Sequence, residues 1–127
     1  MVERTAAERW VEAYVHAWLT YDPTAIGALF SDDAEYRFHP DGNPVVGRDA
    51  IVQSWLDERD DPGTYHADYG VFALEGDRAA ITGTTTYFAN DTHESIVNVY
   101  DNCFLVEFDD EGTCCRFTEW FVERSEG

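Results

Sequence analysis

Lysine is absent from this chain. All eight basic side chains are arginine, set against 26 acidic ones, for a formal net charge of −18 over 127 residues. So acidic a surface repels phosphate backbones and anionic bilayers, so neither nucleic acid nor membrane is an expected partner. Two readings of the missing lysine stay open. Dense carboxylates are tolerated in high salt because ions screen them; a GC-rich genome favouring arginine codons gives the same composition. Long apolar runs are also lacking, and none approaches the roughly 20 residues that cross a bilayer. The N-terminal Met1-Val2-Glu3-Arg4 leads into an amphipathic pattern rather than an apolar leader, so the cytoplasm is the expected location. Cysteine is limited to Cys103, Cys114 and Cys115. That odd count without a secretory signal argues against a disulfide framework. No C-x-x-C or Cys/His cluster has the spacing of a zinc site, so no metal and no cofactor are expected. Repeats, low-complexity tracts and linkers are missing too, and residues 1–127 are expected to form a single domain around one core.

What the chain has in quantity is rings: four Trp, seven Tyr and eight Phe. From Thr5 to Leu19 the spacing predicts a helix, with Trp10, Tyr14, Ala17 and Trp18 on one stripe. Thr5 and Glu8 read as its capping box. Asp22-Pro23 reads as the N-cap and first position of a second helix carrying Ile26, Leu29 and Phe30, closed by Ser31-Asp32-Asp33. A short strand is expected over 34–38 and a loop over His39–Pro44. Asp49 is the expected cap of a third helix with Ile51 and Trp55. The rest reads as strands over 65–74, 78–89, 95–108 and 113–122, joined by turns at Glu75-Gly76-Asp77 and Asp109–Gly112. Helices followed by hairpins predict an α+β domain, its helices packed on one face of an antiparallel sheet.

Pairing Phe108 with Thr113 would set Asn102 opposite Glu119, Tyr100 opposite Phe121 and Phe104 opposite Phe117. One face then carries Asn98, Tyr100, Asn102, Phe104, Val106, Cys115, Phe117, Glu119 and Phe121. Being richer in rings, it is taken as the concave face beneath the helices. The opposite face carries Val97, Val99, Leu105, Trp120 and Val122, an apolar patch large enough to favour association.

Three stretches resemble one family. Tyr21–Ala34 is similar to the second helix and first strand of ketosteroid isomerase and SnoaL-like proteins. Pro44-Val45-Val46-Gly47-Arg48-Asp49-Ala50-Ile51 is similar to the stretch that leads into their third helix. Phe108–Gly112 running to Glu119-Trp120 resembles their final hairpin. The resemblance, to the nuclear transport factor 2-like superfamily, implies a cystatin-like cone: a curved, antiparallel-rich sheet wrapped around three N-terminal helices, with a deep pocket. It also implies a small-molecule ligand and commonly a homodimer through the convex face. It places Tyr14 at the oxyanion-binding tyrosine of ketosteroid isomerase. His39-Pro40 falls at that enzyme's Asp-Pro base if the loop is one residue shorter, and Phe38 falls there otherwise. Phe104 aligns with its second aspartate, the protonated one.

The candidate catalytic groups are therefore Tyr14, His39 and Glu119. Tyr14 is either an oxyanion donor or a core ring. His39 is either a general base, since histidine titrates near neutrality, or an exposed loop residue. Glu119 among Phe104, Phe117 and Phe121 is either a desolvated acid–base group oriented by Asn102 or a buried carboxylate satisfied by Asn102, by Arg48 or by a helix terminus. The expected ligand-binding residues are Trp18, Trp55, His66, Tyr87 and Tyr100, with Asn102, Phe104, Phe117 and Phe121. His66 and Asp68 share one strand face without a third ligand to make a metal site. Arg48 reads as structural. Three functions fit these residues: proton transfer on a small apolar or carbonyl-bearing molecule, in the manner of an isomerase or cyclase; ligand binding without catalysis; and a dimeric accessory role with a filled pocket. If the lysine-free surface is a salt adaptation, the melting temperature will rise steadily from low to molar KCl; a flat or falling profile selects the codon-bias reading.

Overall fold

The apolar stripe read from the sequence forms helix α1 (Arg4–Thr20), which buries Ala7, Trp10, Val11, Tyr14 and Ala17. The structure, a computed structural model, describes residues 2–124. The expected capping box at Thr5 does not form. The helix starts one residue earlier, with Glu3 as an N-cap that makes no side-chain bond, so Thr5 already lies within the first turn. Arg4 Nη1 instead donates to the Val71 carbonyl at 3.1 Å, tying the helix start to the sheet. The helix ends at Tyr21, which takes the left-handed region at φ 50° and donates its N–H to the Ala17 carbonyl.

Helix α2 (Pro23–Gly27) is capped as its sequence predicts, Asp22 accepting from the Thr24 N–H at 3.1 Å. It is shorter than expected. Ser31-Asp32-Asp33 belongs to strand β1 (Phe30–Arg37) because Leu29 and Phe30 are drawn into pairing with the last strand. A two-residue strand β2 (Val45–Val46) forms just after the expected loop. Helix α3 (Arg48–Asp57) starts from Gly47 at φ 97°, with Asp49 in the first turn rather than at the cap. Arg48 is structural: its Nε donates to the Phe30 carbonyl at 3.0 Å and its Nη1 pairs with Asp32 at 2.8 Å, fastening α3 to β1.

Strands β3 (Tyr65–Glu75), β4 (Arg78–Phe88), β5 (Ile96–Phe108) and β6 (Cys114–Glu123) form an antiparallel meander. Strand β1 closes the far side, parallel to β6, giving the order β2-β1-β6-β5-β4-β3. The helices cover one face of this mixed sheet, and the buried core lies between them. There Tyr14 stacks on Phe117 with centroids 5.7 Å apart, and Phe117 stacks on Tyr36 at 4.3 Å.

The β5–β6 register differs from the simplest expectation by two residues. Asn102 lies opposite Phe121, Tyr100 opposite Glu123, and Phe104 opposite Glu119. One step comes from the turn: Asp109 and Thr113 close it through a backbone bond of 2.9 Å, with Gly112 left-handed at φ 83°. The other is a bulge at Cys115, which lies between the paired residues Cys114 and Arg116. Each step alone would turn β6 inside out; together they restore the expected face. Cys114 is therefore the buried thiol, while Cys115, expected on the concave face, sits on the bulge with its Sγ donating to the Glu107 carbonyl at 3.4 Å. All three thiols are free.

Strand β3 approaches β4 closely at Gly83. A Cβ there would stand 2.0 Å from the Asp68 carbonyl oxygen and 2.6 Å from the Tyr69 ring. The missing side chain lets Tyr69, its partner on β3, fold its ring over the strand and meet Phe104 edge-on at 5.0 Å. Gly83→Ala will therefore lower stability by about 2 kcal/mol or more in urea denaturation, because the obstructing atom is backbone. An alanine at Gly70, where an added Cβ meets nothing within 4 Å, is the control.

Candidate functional site

A cavity of about 200 Å3 opens between the helices and the concave face. Tyr14 and Trp18 of α1 form one wall with Tyr21; Tyr36 of β1, Phe38 just after it and Trp55 of α3 form another. Tyr69, Thr85, Tyr87, Asn102, Phe104 and Glu119 are the floor, and Glu58 and Asp60 stand after α3. A second recess of about 240 Å3 adjoins it, adding Tyr100 and Phe121 and sharing Thr85, Tyr87, Asn102 and Glu119. Glu119 is thus common to both.

Glu119 is the group with chemistry to offer. Burial pushes its carboxyl up to about 7, because a charged carboxylate loses more than a neutral one on leaving water. Among the described residues no side chain or backbone group hydrogen-bonds it, and Arg48, a conceivable partner, is engaged with Phe30 and Asp32. Both protonation states are therefore populated near neutral pH.

Two hydrogen-bonded arrays face this carboxyl. In the first, the Tyr14 and Tyr36 hydroxyls are 3.2 Å apart and buried. Burial holds both phenols well above their ordinary range, and the Glu119 charge reinforces this. They remain donors at any physiological pH. Only one of the two protons is consumed by their mutual bond; the other can be given away. In the second, Thr85 Oγ1 donates to Asn102 Oδ1 at 2.8 Å, so the Tyr69 hydroxyl must donate to Thr85. This chain fixes which way the Asn102 amide is turned. Its NH2 has no partner among the described residues and remains available to the cavity.

The rim has its own network. Asp60 Oδ2 accepts from Trp18 Nε1 at 3.1 Å and from the Tyr21 hydroxyl, while the Asp60 N–H donates to that hydroxyl at 2.9 Å. The left-handed turn at Tyr21 is what swings its ring to this position. Partial burial raises the Asp60 carboxyl above its ordinary value. Tyr65 braces the rim, donating to the Trp18 carbonyl at 2.6 Å and stacking on its indole at 4.3 Å.

Of the residues singled out from the sequence, Tyr14, Trp18, Trp55, Tyr87, Asn102, Phe104 and Glu119 meet in the inner cavity, and Tyr100 and Phe121 in the outer recess. His39 lies in the exposed turn after β1, its ring 5.3 Å from that of Phe121, beside the recess rather than in it. Two expectations are corrected. His66 is exposed on the outer face of β3, because strand alternation that brings Tyr65 and Tyr69 inward turns His66 and Asp68 outward. Phe117 is wholly buried between the Tyr14 and Tyr36 rings and lines neither the inner cavity nor the outer recess. The residues missed were Tyr21, Tyr36, Ser54, Glu58, Asp60, Tyr69 and Thr85; Phe38 had entered only as the alternative to His39. Parity along β1 and β3 could have found Tyr36 and Tyr69; nothing local distinguishes Asp60 from its acidic neighbours.

Glu119 gives the fold a pH dependence of known sign. Its folded value of about 7 lies above its ordinary 4.5. The unfolded chain therefore releases this proton first, and stability is lost as pH rises through that interval. Glu119→Gln cannot ionise. Relative to wild type it will be indifferent below about pH 4.5 and more stable by about 3 kcal/mol above pH 8. Parallel denaturant titrations of the two proteins across this range measure the difference.

None of the curated proteins matches the chain in sequence. Solved structures share its shape at low identity. A nuclear transport factor 2-like protein of unknown function from Burkholderia xenovorans LB400 superposes with a TM-score of 0.72 at 16% identity, covering 97% of this chain and 88% of the other. A ketosteroid isomerase-like protein from Erwinia carotovora atroseptica gives 0.64 at 21%, covering 94% and 96%. An LEH-like epoxide hydrolase from M. tuberculosis gives 0.67 at 19%, covering 95% and 86%. At such identities the likeness establishes the cone fold and not the chemistry. The SnoaL-like domain model matches residues 11–117; with the cone, its helices and its aromatic cavity in place, this chain belongs to the SnoaL-like domain family.

Proposed function

We propose that the cavity binds a small, largely apolar, carbonyl-bearing molecule and that Glu119 moves a proton on it, as in an isomerase- or cyclase-type reaction. The observation that carries this reading is the unpartnered Glu119 carboxyl, pushed up to about 7, in one cavity with the Tyr14–Tyr36 pair. The carboxylate takes a proton from the carbon next to the carbonyl. The electron pair of that C–H bond moves toward the carbonyl oxygen, and the free proton of the tyrosine pair hydrogen-bonds the resulting oxyanion. Return of the proton from Glu119 to another carbon completes an isomerisation with nothing gained or lost.

A second reading, ligand binding without catalysis, draws on Phe38 and Phe104. The resemblance to ketosteroid isomerase puts Phe104, and Phe38 unless the loop is one residue shorter, where that enzyme has acids, so a base at Glu119 acts from a different position, on the strand beside Phe104. The filled-pocket accessory role has less support, since about 200 Å3 is open.

A probe can separate these readings without the natural substrate. The ring of 5-nitrobenzisoxazole opens after a single proton abstraction, and a desolvated carboxylate is the base best suited to it. The wild-type protein is expected to open it at a rate that rises with pH through about 7, following Glu119 ionisation. Glu119→Gln is expected to lose about 10²–10⁴-fold in rate while still binding the probe. An unchanged rate in the variant eliminates Glu119 as the base.

The domain is further proposed to act as a homodimer. Ile96, Val97, Leu105, Trp120 and Val122 are exposed on the convex side, Val122 at 68%, and a face of this kind is rarely left in water. Sedimentation at micromolar concentration is expected to give twice the chain mass at both low and high salt; a monomer in both removes this assembly.

A further inference from the structure

The fifteen residues lining the inner cavity divide unevenly by charge. Nine are aromatic and three are acidic (Glu58, Asp60 and Glu119), while none is Arg or His. Glu119 has a use on a neutral molecule as the base, but the half-buried Asp60 would carry a desolvation cost there with no return. A ligand with its own carboxylate or phosphate would meet neutral donors but no positive charge, beside three acidic side chains. A cation would find the negative faces of the rings and the carboxylates together.

The rim gives this preference a location. Asp60 is half-buried against Trp18 and Tyr21, and both of the side-chain hydrogen bonds it accepts go to Oδ2. Its Oδ1 has no partner among the described residues. Around it stand the Trp18 indole, with Tyr65 stacked on one side at 4.3 Å and Tyr87 edge-on at 6.5 Å. The Arg59 guanidinium already sits over the Tyr21 ring at 5.5 Å, yet Arg59 is exposed and does not line the cavity. An unpaired carboxylate oxygen set among aromatic rings is an arrangement suited to an ammonium group.

We propose that the ligand is a small organic amine, carrying a protonated or quaternary nitrogen on an apolar body, with the nitrogen at the Asp60–Trp18 rim and the body between the rings. This rests on the reading of the cavity as a ligand site and adds the chemical class. The reacting carbonyl would then lie at the Tyr14–Glu119 end of an amino-ketone.

Three probes of equal size test it on the full chain in 0.5 M KCl, which suppresses diffuse attraction to the acidic surface: benzylamine, benzyl alcohol and benzoate, followed by tryptophan fluorescence and calorimetry. Benzylamine is expected to bind at least tenfold more tightly than benzyl alcohol, and benzoate not at all. Asp60→Asn preserves acceptors for Trp18 and Tyr21. It is expected to bring the amine down to the affinity of the alcohol while leaving alcohol binding unchanged. Asp110→Asn, at the exposed tip of the last hairpin, removes the same charge elsewhere and should leave the preference intact. Equal binding of amine and alcohol overturns the amine assignment while leaving the proton-transfer reading standing. An equal effect of the two asparagine variants overturns it as diffuse attraction. Failure of every probe to bind overturns both readings of the cavity.

Discussion

Everything in the site depends on which way β6 faces. Beyond the Cys115 bulge its side chains alternate, so a single slip of register would carry Glu119 to the convex surface and put Trp120 in its place. Two offsets, one at the Gly112 turn and one at the Cys115 bulge, add up to a shift of two and cancel in their effect on facing. The bulge is not tolerance of a defect. Without it, the turn chosen by Asp109 and Gly112 would present the wrong face of β6 to the helices. Phe117, which locks Tyr14 and Tyr36 into a stack, and Glu119, two residues on, are set inward by the same correction.

That correction places a carboxyl where it costs stability. A Glu with ordinary partners would have been lowered or left alone; this one is raised by burial alone. Cores ordinarily avoid such a group or satisfy it. Here the neighbouring polar groups are turned to each other instead: Tyr14 to Tyr36, and Tyr69 to Thr85 to Asn102. The result is a cavity whose donors are fixed by their own networks before any ligand arrives, leaving one phenol proton, one amide NH2 and one carboxyl facing the same space. Fixed donors of this kind need no reorganisation when charge appears.

The sequence made the meander legible because strand periods and turn residues are local properties: Glu75-Gly76-Asp77 marked its hairpin and Asp22-Pro23 its helix start. It made Glu119 legible for the same reason, since parity from Phe117 and Phe121 does not depend on the exact pairing. The remainder was not local. Ser31-Asp32-Asp33 reads as a helix end and becomes a strand because β6 supplies a parallel partner more than eighty residues away. Asp60 reads as one more acid in an acidic turn, and acquires its role from Trp18 and Tyr21, some forty positions earlier. His66 was misplaced through its chemistry: a histidine beside an aspartate attracts a functional reading, whereas the parity of Tyr65 and Tyr69 had already turned it outward.

Net charge and cavity charge point the same way, and the combination limits what can enter. With 26 acidic and eight basic groups, the chain surrounds itself with a field that draws in cations and repels anions. Its arginines are spent elsewhere: Arg48 on Phe30 and Asp32, Arg116 between Glu35 and Glu107, Arg124 on Asp101. None reaches the cavity, although a single arginine there would have paired with Glu119 and pulled its carboxyl back into the ordinary range. The absence of a cation from the lining and the raised carboxyl are therefore one fact seen twice. The same exclusion that leaves Glu119 able to exchange a proton near neutrality leaves the rim carboxylate free to meet a positive charge from outside.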